Sequence, residues 1–255
     1  LKELSLANNS IQDLTPIKNL KGNIKLNISG IKLGGDILSL LSTMQFEELY
    51  VANCDLSSLD FLEGHTEIKR LDISNNSISD IDILKMYRKE LTYLNIAWNP
   101  IYDLSPLVEW ALSILIHDKK NQDFPGVEFD MSGIQLEKIE EDKGIHIIEE
   151  TIFRKLTARN CGLKDVDFVK YQLKIEYLDI SNNPIESIDG ADGQRFLKEI
   201  VAKNTFIDED KIITLKTLSP SKVYAISSYW KLCSEIGSSF YRTKGKPVIA
   251  RVILK

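Results

Sequence analysis

Leu71-Asp72-Ile73-Ser74-Asn75-Asn76-Ser77-Ile78 returns as Leu178-Asp179-Ile180-Ser181-Asn182-Asn183-Pro184-Ile185, the two copies differing only at Ser77 and Pro184. A chain that repeats itself at a fixed interval is built from one supersecondary unit stacked on copies of itself. The letters give the unit a shape. Apolar residues alternate as on a strand with one buried face, and an Asn follows where the chain must turn.

The second leucine of L-x-x-L-x-L falls at Leu4, Leu26, Leu49, Leu71 and Leu94, in steps of 22, 23, 22 and 23 residues. The pattern resumes at Phe129, Leu156, Leu178 and Ile200, giving nine units in all. Short parallel strands about 4.8 Å apart would place these residues in one inward row. The residue that closes each unit, Asn9, Asn76, Asn99 or Asn183, is suited to satisfy backbone groups exposed where the strand ends. Cys54 and Cys161 occupy that slot and read as small buried thiols. Four strand steps separate them, about 19 Å at that spacing, whereas a disulfide needs Cα atoms within about 7 Å. With Cys233 they make an odd, sparse set without C-x-x-C spacing, so neither a disulfide framework nor a metal site is expected. A larger repetition lies over the small one. Leu49–Leu56 matches Leu156–Leu163 at the offset of 107 residues that separates Leu71 from Leu178.

Written out, Leu1-x-x-Leu4-x-Leu6-x-x-Asn9-x-Ile11 and Leu91-x-x-Leu94-x-Ile96-x-x-Asn99-x-Ile101 resemble the leucine-rich repeat family over roughly residues 1–207. The first units look like internalin-type surface repeats, and equally like the regulatory subunits of phosphatase-1. The resemblance implies an α/β solenoid, a horseshoe with a parallel sheet on its concave face and short 3₁₀ or irregular segments behind. It also implies a binding role with no cofactor. Units of 22 or 23 residues leave room for little more than a 3₁₀ turn on the return, and Asp13-Leu-Thr-Pro16 and Asp103-Leu-Ser-Pro106 supply the proline that opens one. Two steps are long. Leu94 to Phe129 takes 35 residues, and the stretch near 108–125 reads as an inserted helix in preference to a degenerate repeat. Phe129 to Leu156 takes 27, with helical spacing of apolar residues from Ile145 to Leu156.

The array is expected to span 1–207. Residues 208–255, rich in Ser and aromatics such as Tyr229, Trp230, Phe240 and Tyr241 and ending in the strand-like Val248–Leu254, read as a C-terminal cap or the start of a further domain. The chain opens inside a repeat, as a piece of a longer protein would. It contains no run of about 18 apolar residues, so no membrane insertion is expected. The compartment is not fixed by the sequence, although the unpaired cysteines favour the cytoplasm over the cell surface.

No catalytic residues are assigned. His65, His117 and His146 fall in different units, lack partners at motif spacing and read as surface residues. No nucleophile elbow, phosphate loop or dinucleotide fingerprint is present. Attention therefore moves to the letters between the leucines. The net charge is −5, and acidic and basic residues balance at these outward positions. A nucleic-acid groove would be one-signed, so nucleic acid is not an expected partner. Mixed charge interleaved with Tyr and Trp instead fits a surface for a protein partner on a monomeric chain. The Leu94 unit is the sharpest candidate, since its outward residues Thr92, Tyr93, Asn95, Ala97 and Trp98 carry no charge. Tyr50, Arg70, Asp72, Tyr93, Asn95 and Trp98 are the expected partner-binding centre. The expected function is a non-catalytic protein–protein interaction module, or alternatively a sensor or substrate-recruiting domain of a larger signalling protein or enzyme.

Overall fold

The computed structural model describes residues 1–88, 90–120, 126–140, 146–172, 174–191, 194, 196–207 and 222–227. Ten strands form one parallel sheet in chain order. They are β1 (Glu3–Ser5), β2 (Ile24–Asn27), β3 (Phe46–Tyr50), β4 (Arg70–Asp72), β5 (Tyr93–Asn95), β6 (Val127–Asp130), β7 (Phe153–Thr157), β8 (Tyr177–Asp179), β9 (Glu199–Thr205) and β10 (Lys222–Ser227). The nine marker residues pair in register from Leu4 to Ile200. Leu26, Leu49, Leu71, Leu94, Leu156 and Leu178 are wholly buried. At about 25 cal/mol per Å² of apolar area, this continuous row is the main favourable term of the array.

The first nine strands share one turn. The residue four places after each marker lies in the left-handed region: Asn8, Asn53, Asn75, Trp98, Asn160, Asn182 and Asn204 have φ between 53° and 59°, and Gly30 and Gly133 stand at 76° and 80° in the same column. Asn and Gly tolerate this conformation best. The turn also carries the ladder past the end of the strand. From Asn8 to Asn182, each of these residues donates its N–H to a carbonyl of the next unit at 2.7–3.0 Å, as in Asn75 to Ala97 and Asn160 to Ser181.

The closing residue then binds the turn. Asn183 is 2% exposed. Its Nδ2 donates to the carbonyls of Ala158, Ile180 and Ser181, and its Oδ1 accepts from the backbone N–H groups of Cys161 and Leu163. Asn76 makes the equivalent bonds one block earlier. In the Cys slots, the Cys54 thiol donates to the Ile28 carbonyl and the Cys161 thiol to that of Met131, each at 3.3 Å. Both are buried and unpaired.

The return path holds short 3₁₀ turns, among them Thr15–Ile17 and Ser105–Leu107 at the two expected prolines. An Asp or Ser two residues upstream accepts the first N–H of several of them, as Asp13 does from Thr15 and Asp80 from Asp82. The long step after β5 contains helix α2 (Val108–Lys120), following α1 (Gly35–Leu41). Leu94 still pairs directly with Phe129, so no strand intervenes. Trp110 roots α2 in the core, donating its indole N–H to the Leu91 carbonyl at 2.8 Å and meeting the Phe129 ring edge-on.

The helical spacing read over Ile145–Leu156 is cut short. Helix α3 covers only Ile147–Glu150, and the chain is extended again from Phe153, where the ladder to β6 claims the backbone. His65 is another correction. It is 3% exposed, stacked 5.4 Å from the Phe46 ring, with its ring nitrogens facing the Met44 and Glu63 carbonyls. His146 does lie at the surface, 3.5 Å from Glu149. β10 continues the sheet within the stretch read as a cap, while Trp230, Phe240, Tyr241 and Val248–Leu254 lie outside the described residues.

Asn183→Ala removes five buried hydrogen-bond contacts and leaves two N–H groups of the neighbouring unit without an acceptor. A loss of about 3 kcal/mol is expected in urea unfolding, given about 1–3 kcal/mol for each buried polar group left unpaired.

Candidate interaction surface

Two rows of side chains stand on the open face of the sheet. The register aligns Glu3, Lys25, Glu48, Arg70, Tyr93, Glu128, Lys155, Tyr177 and Glu199 as the first row. Opposite charges meet along it. Lys25 pairs with Glu48 at 2.5 Å, Arg70 approaches Glu128 at 3.7 Å, and Arg154 binds Glu128 from β7. Burial works to raise the Glu48 carboxyl, but hydrogen bonds from Lys25 and the Tyr50 hydroxyl outweigh it and hold the group below its ordinary range.

Arg70 organises the middle of this row. Its Nε donates to the Tyr50 hydroxyl at 3.1 Å, and that hydroxyl donates to Glu48 at 2.7 Å. Its guanidinium carbon lies 4.3 Å from the centre of the Tyr93 ring. The Tyr50 and Tyr93 rings are 6.3 Å apart. Three of the expected site residues, one from each of three consecutive strands, thus form one packed cluster. A guanidinium on an aromatic face contributes about 0.5–1 kcal/mol when exposed and more when desolvated.

The second row holds Asn27, Tyr50, Asp72, Asn95, Asp130, Thr157 and Asp179. Here the side chain chiefly serves its own strand. Oδ1 of Asn27, Asp72, Asn95, Asp130 and Asp179 accepts the backbone N–H two residues on, each at 3.0–3.1 Å. This is an Asx turn, and it explains the recurrent Asp/Asn-x-Ser without reference to any ligand. Asn95 also donates to Asp72 at 3.1 Å. Two positions read as outward are in fact covered. Asp179 is 1% exposed beneath Arg159, which binds it at 2.6 Å, and Thr157 is 7% exposed. Asp130 is half-buried. Its burial, foremost, raises the carboxyl above its ordinary value, and the neighbouring Asp72 adds to the effect against the pull of Ser132 and Arg159.

Trp98 stands apart from both clusters. It lies past the end of β5, in the left-handed column of the turn, with its side chain 48% exposed. A left-handed backbone costs about 1–2 kcal/mol for a residue with a Cβ, and a bulky residue there is an outlier. The ring lies across Gly133, where a Cβ would come within 2.5 Å of the indole Cε3. Gly133 is the residue that makes room for it, and sequence reasoning missed this. The signal was present, since Gly133 stands where five other units carry the first Asn of an Asn-Asn or Asn-Cys pair.

Among the described residues, no group of three or more His, Cys, Asp or Glu could hold a metal ion, and no helix is long and apolar enough to cross a membrane. No family model matches the chain. Among solved structures it is similar to the internalin InlF of Listeria monocytogenes, at 17% identity over 89% of this chain and 74% of that one, with a TM-score of 0.53. This is a leucine-rich repeat fold. Further likenesses are internalin C2 of the same organism (20% identity, 79% and 71% of the two chains, TM-score 0.46) and the leucine-rich repeat domain of APL1B (17%, 91% and 83%, 0.41). At these identities the likeness is one of architecture, and the leucine-rich repeat horseshoe places both rows on its concave side.

Burial pushes the Cys161 thiol up to about 12 from an ordinary 9.0, and the Tyr177 phenol, again through burial first, up to about 12 from 10.0. Groups raised by folding stabilise the fold fully below their unfolded values and lose that contribution as pH climbs toward the folded ones. The melting temperature is therefore expected to fall between pH 8 and pH 10.5, with Cys161→Ala narrowing the difference. Iodoacetamide at pH 7.5 should leave Cys54 and Cys161 unlabelled until the chain is unfolded.

Proposed function

We propose that this chain is a non-catalytic protein–protein interaction module that receives a protein partner on its concave face, centred on Tyr50, Arg70, Asp72, Tyr93, Asn95 and Trp98. The observation that carries the reading is the Tyr50–Arg70–Tyr93 cluster. Aromatic and arginine side chains supply most of the energy in protein interfaces. Here they are held in place before any partner arrives, which lowers the ordering cost of association. The ion pairs on either side also leave the row with little net charge to desolvate.

A photo-crosslinking side chain, benzoylphenylalanine, placed at Tyr93 and separately at Leu112 on the convex helix α2, tests the face. Capture of a protein from the source cells at 93 and not at 112, suppressed by Tyr50→Ala at unchanged melting temperature, is the expected outcome. Equal capture from Leu112 would show that the concave face is not the binding side.

A further inference from the structure

The turn column contains its own control. In eight of nine units the left-handed position is Asn or Gly, residues that adopt it at least cost, and in the ninth it is tryptophan. The neighbouring unit accommodates that tryptophan by having no side chain at Gly133. The indole is not needed to fill a core, because it is 48% exposed. The ring packs over Gly133, and about half of the residue stays in contact with solvent. Strain that the rest of the chain avoids, at a side chain presented to solvent, points toward function.

We propose that Trp98 is a docking anchor for a cationic side chain, arginine or lysine, on the partner protein. This rests on the reading that the concave side binds a protein. The charges around the anchor choose the occupant. Asn95, three residues before Trp98, lies in register between Asp72 and Asp130. The Trp98 N–H donates to the Ser132 carbonyl at 2.7 Å, and the Ser132 N–H donates to Asp130. Among the described residues, neither Asp72 nor Asp130 forms an ion pair, while the nearby cations are already engaged, Arg70 and Arg154 by Glu128 and Arg159 by Asp179. A half-exposed indole on the turn that follows Asn95, with a carboxylate outside any described ion pair on either side of that residue, suits a cation on both counts. A neutral apolar segment would leave the carboxylates desolvated and unpaired, and an acidic one would meet them as like charges.

The test uses fluorescein-labelled Gly-Gly-Arg-Gly-Arg-Gly-Gly and the same peptide with citrulline, which has the shape of arginine without its charge. Fluorescence anisotropy at 50 mM salt should show the arginine peptide binding the whole chain at least tenfold more tightly than the citrulline peptide. Trp98→Asn should reduce that binding about tenfold while leaving the melting temperature unchanged or raised by about 2–4 °C, because it restores the residue the column prefers. Trp98→Tyr, which keeps a π face over Gly133, should retain most of the binding. Equal binding of the two peptides, undiminished binding by Trp98→Asn, or a loss in Trp98→Tyr as large as in Trp98→Asn would each overturn the proposal. Should the wild type bind neither peptide while crosslinking at 93 still captures a partner, the cation is wrong and the face is right.

Discussion

The whole array depends on making one turn the same way nine times. At each of these turns the chain enters the left-handed region for a single residue, and the next side chain, Asn or Cys in six of the nine, closes the turn. If one turn failed, the next strand would leave the ladder and a row of leucines would face water. In a solenoid, where each unit touches chiefly its neighbours, no distant contact can repair such a break. The hydrogen bond from the left-handed N–H to the following unit makes this turn part of the sheet as well as its end.

Much of this was legible because stacking acts on letters directly. The in-register row from Leu4 to Ile200, buried from Leu26 onward, the proline-opened 3₁₀ turns and the structural Cys54 and Cys161 all follow from period and residue type. The candidate surface was read less completely. Tyr50, Arg70 and Tyr93 were expected on one face, but their mutual packing depends on cross-strand register, which pairs residues 20 or more positions apart. Asp179 was read as outward from strand alternation alone. The arginine that covers it comes from the adjacent unit's turn, and alternation has nothing to say about turns. His65 failed for a similar reason, since its acceptors are backbone carbonyls and those leave no trace in a motif.

The two rows of the open face differ in kind. In the first, charged side chains satisfy one another across strands, so substituting one changes the state of its neighbours; Glu128 alone answers to both Arg70 and Arg154. In the second, Asp and Asn are fastened to their own backbone and resist change for local reasons. Freedom to vary the surface without disturbing the scaffold is therefore concentrated in the first row and at the turn position held by Trp98.

Helix α2 adds thirteen residues between two strands that nonetheless pair residue for residue. Length on the outer curve is thus uncoupled from geometry on the inner one. An array with this property can acquire loops, tags or whole modules on its back as independent events, while the spacing of the concave face stays fixed by the ladder. The same separation gives an engineer an insertion point, along the outer arc between β5 and β6, where a reporter would ride on the molecule without entering the open face of the sheet.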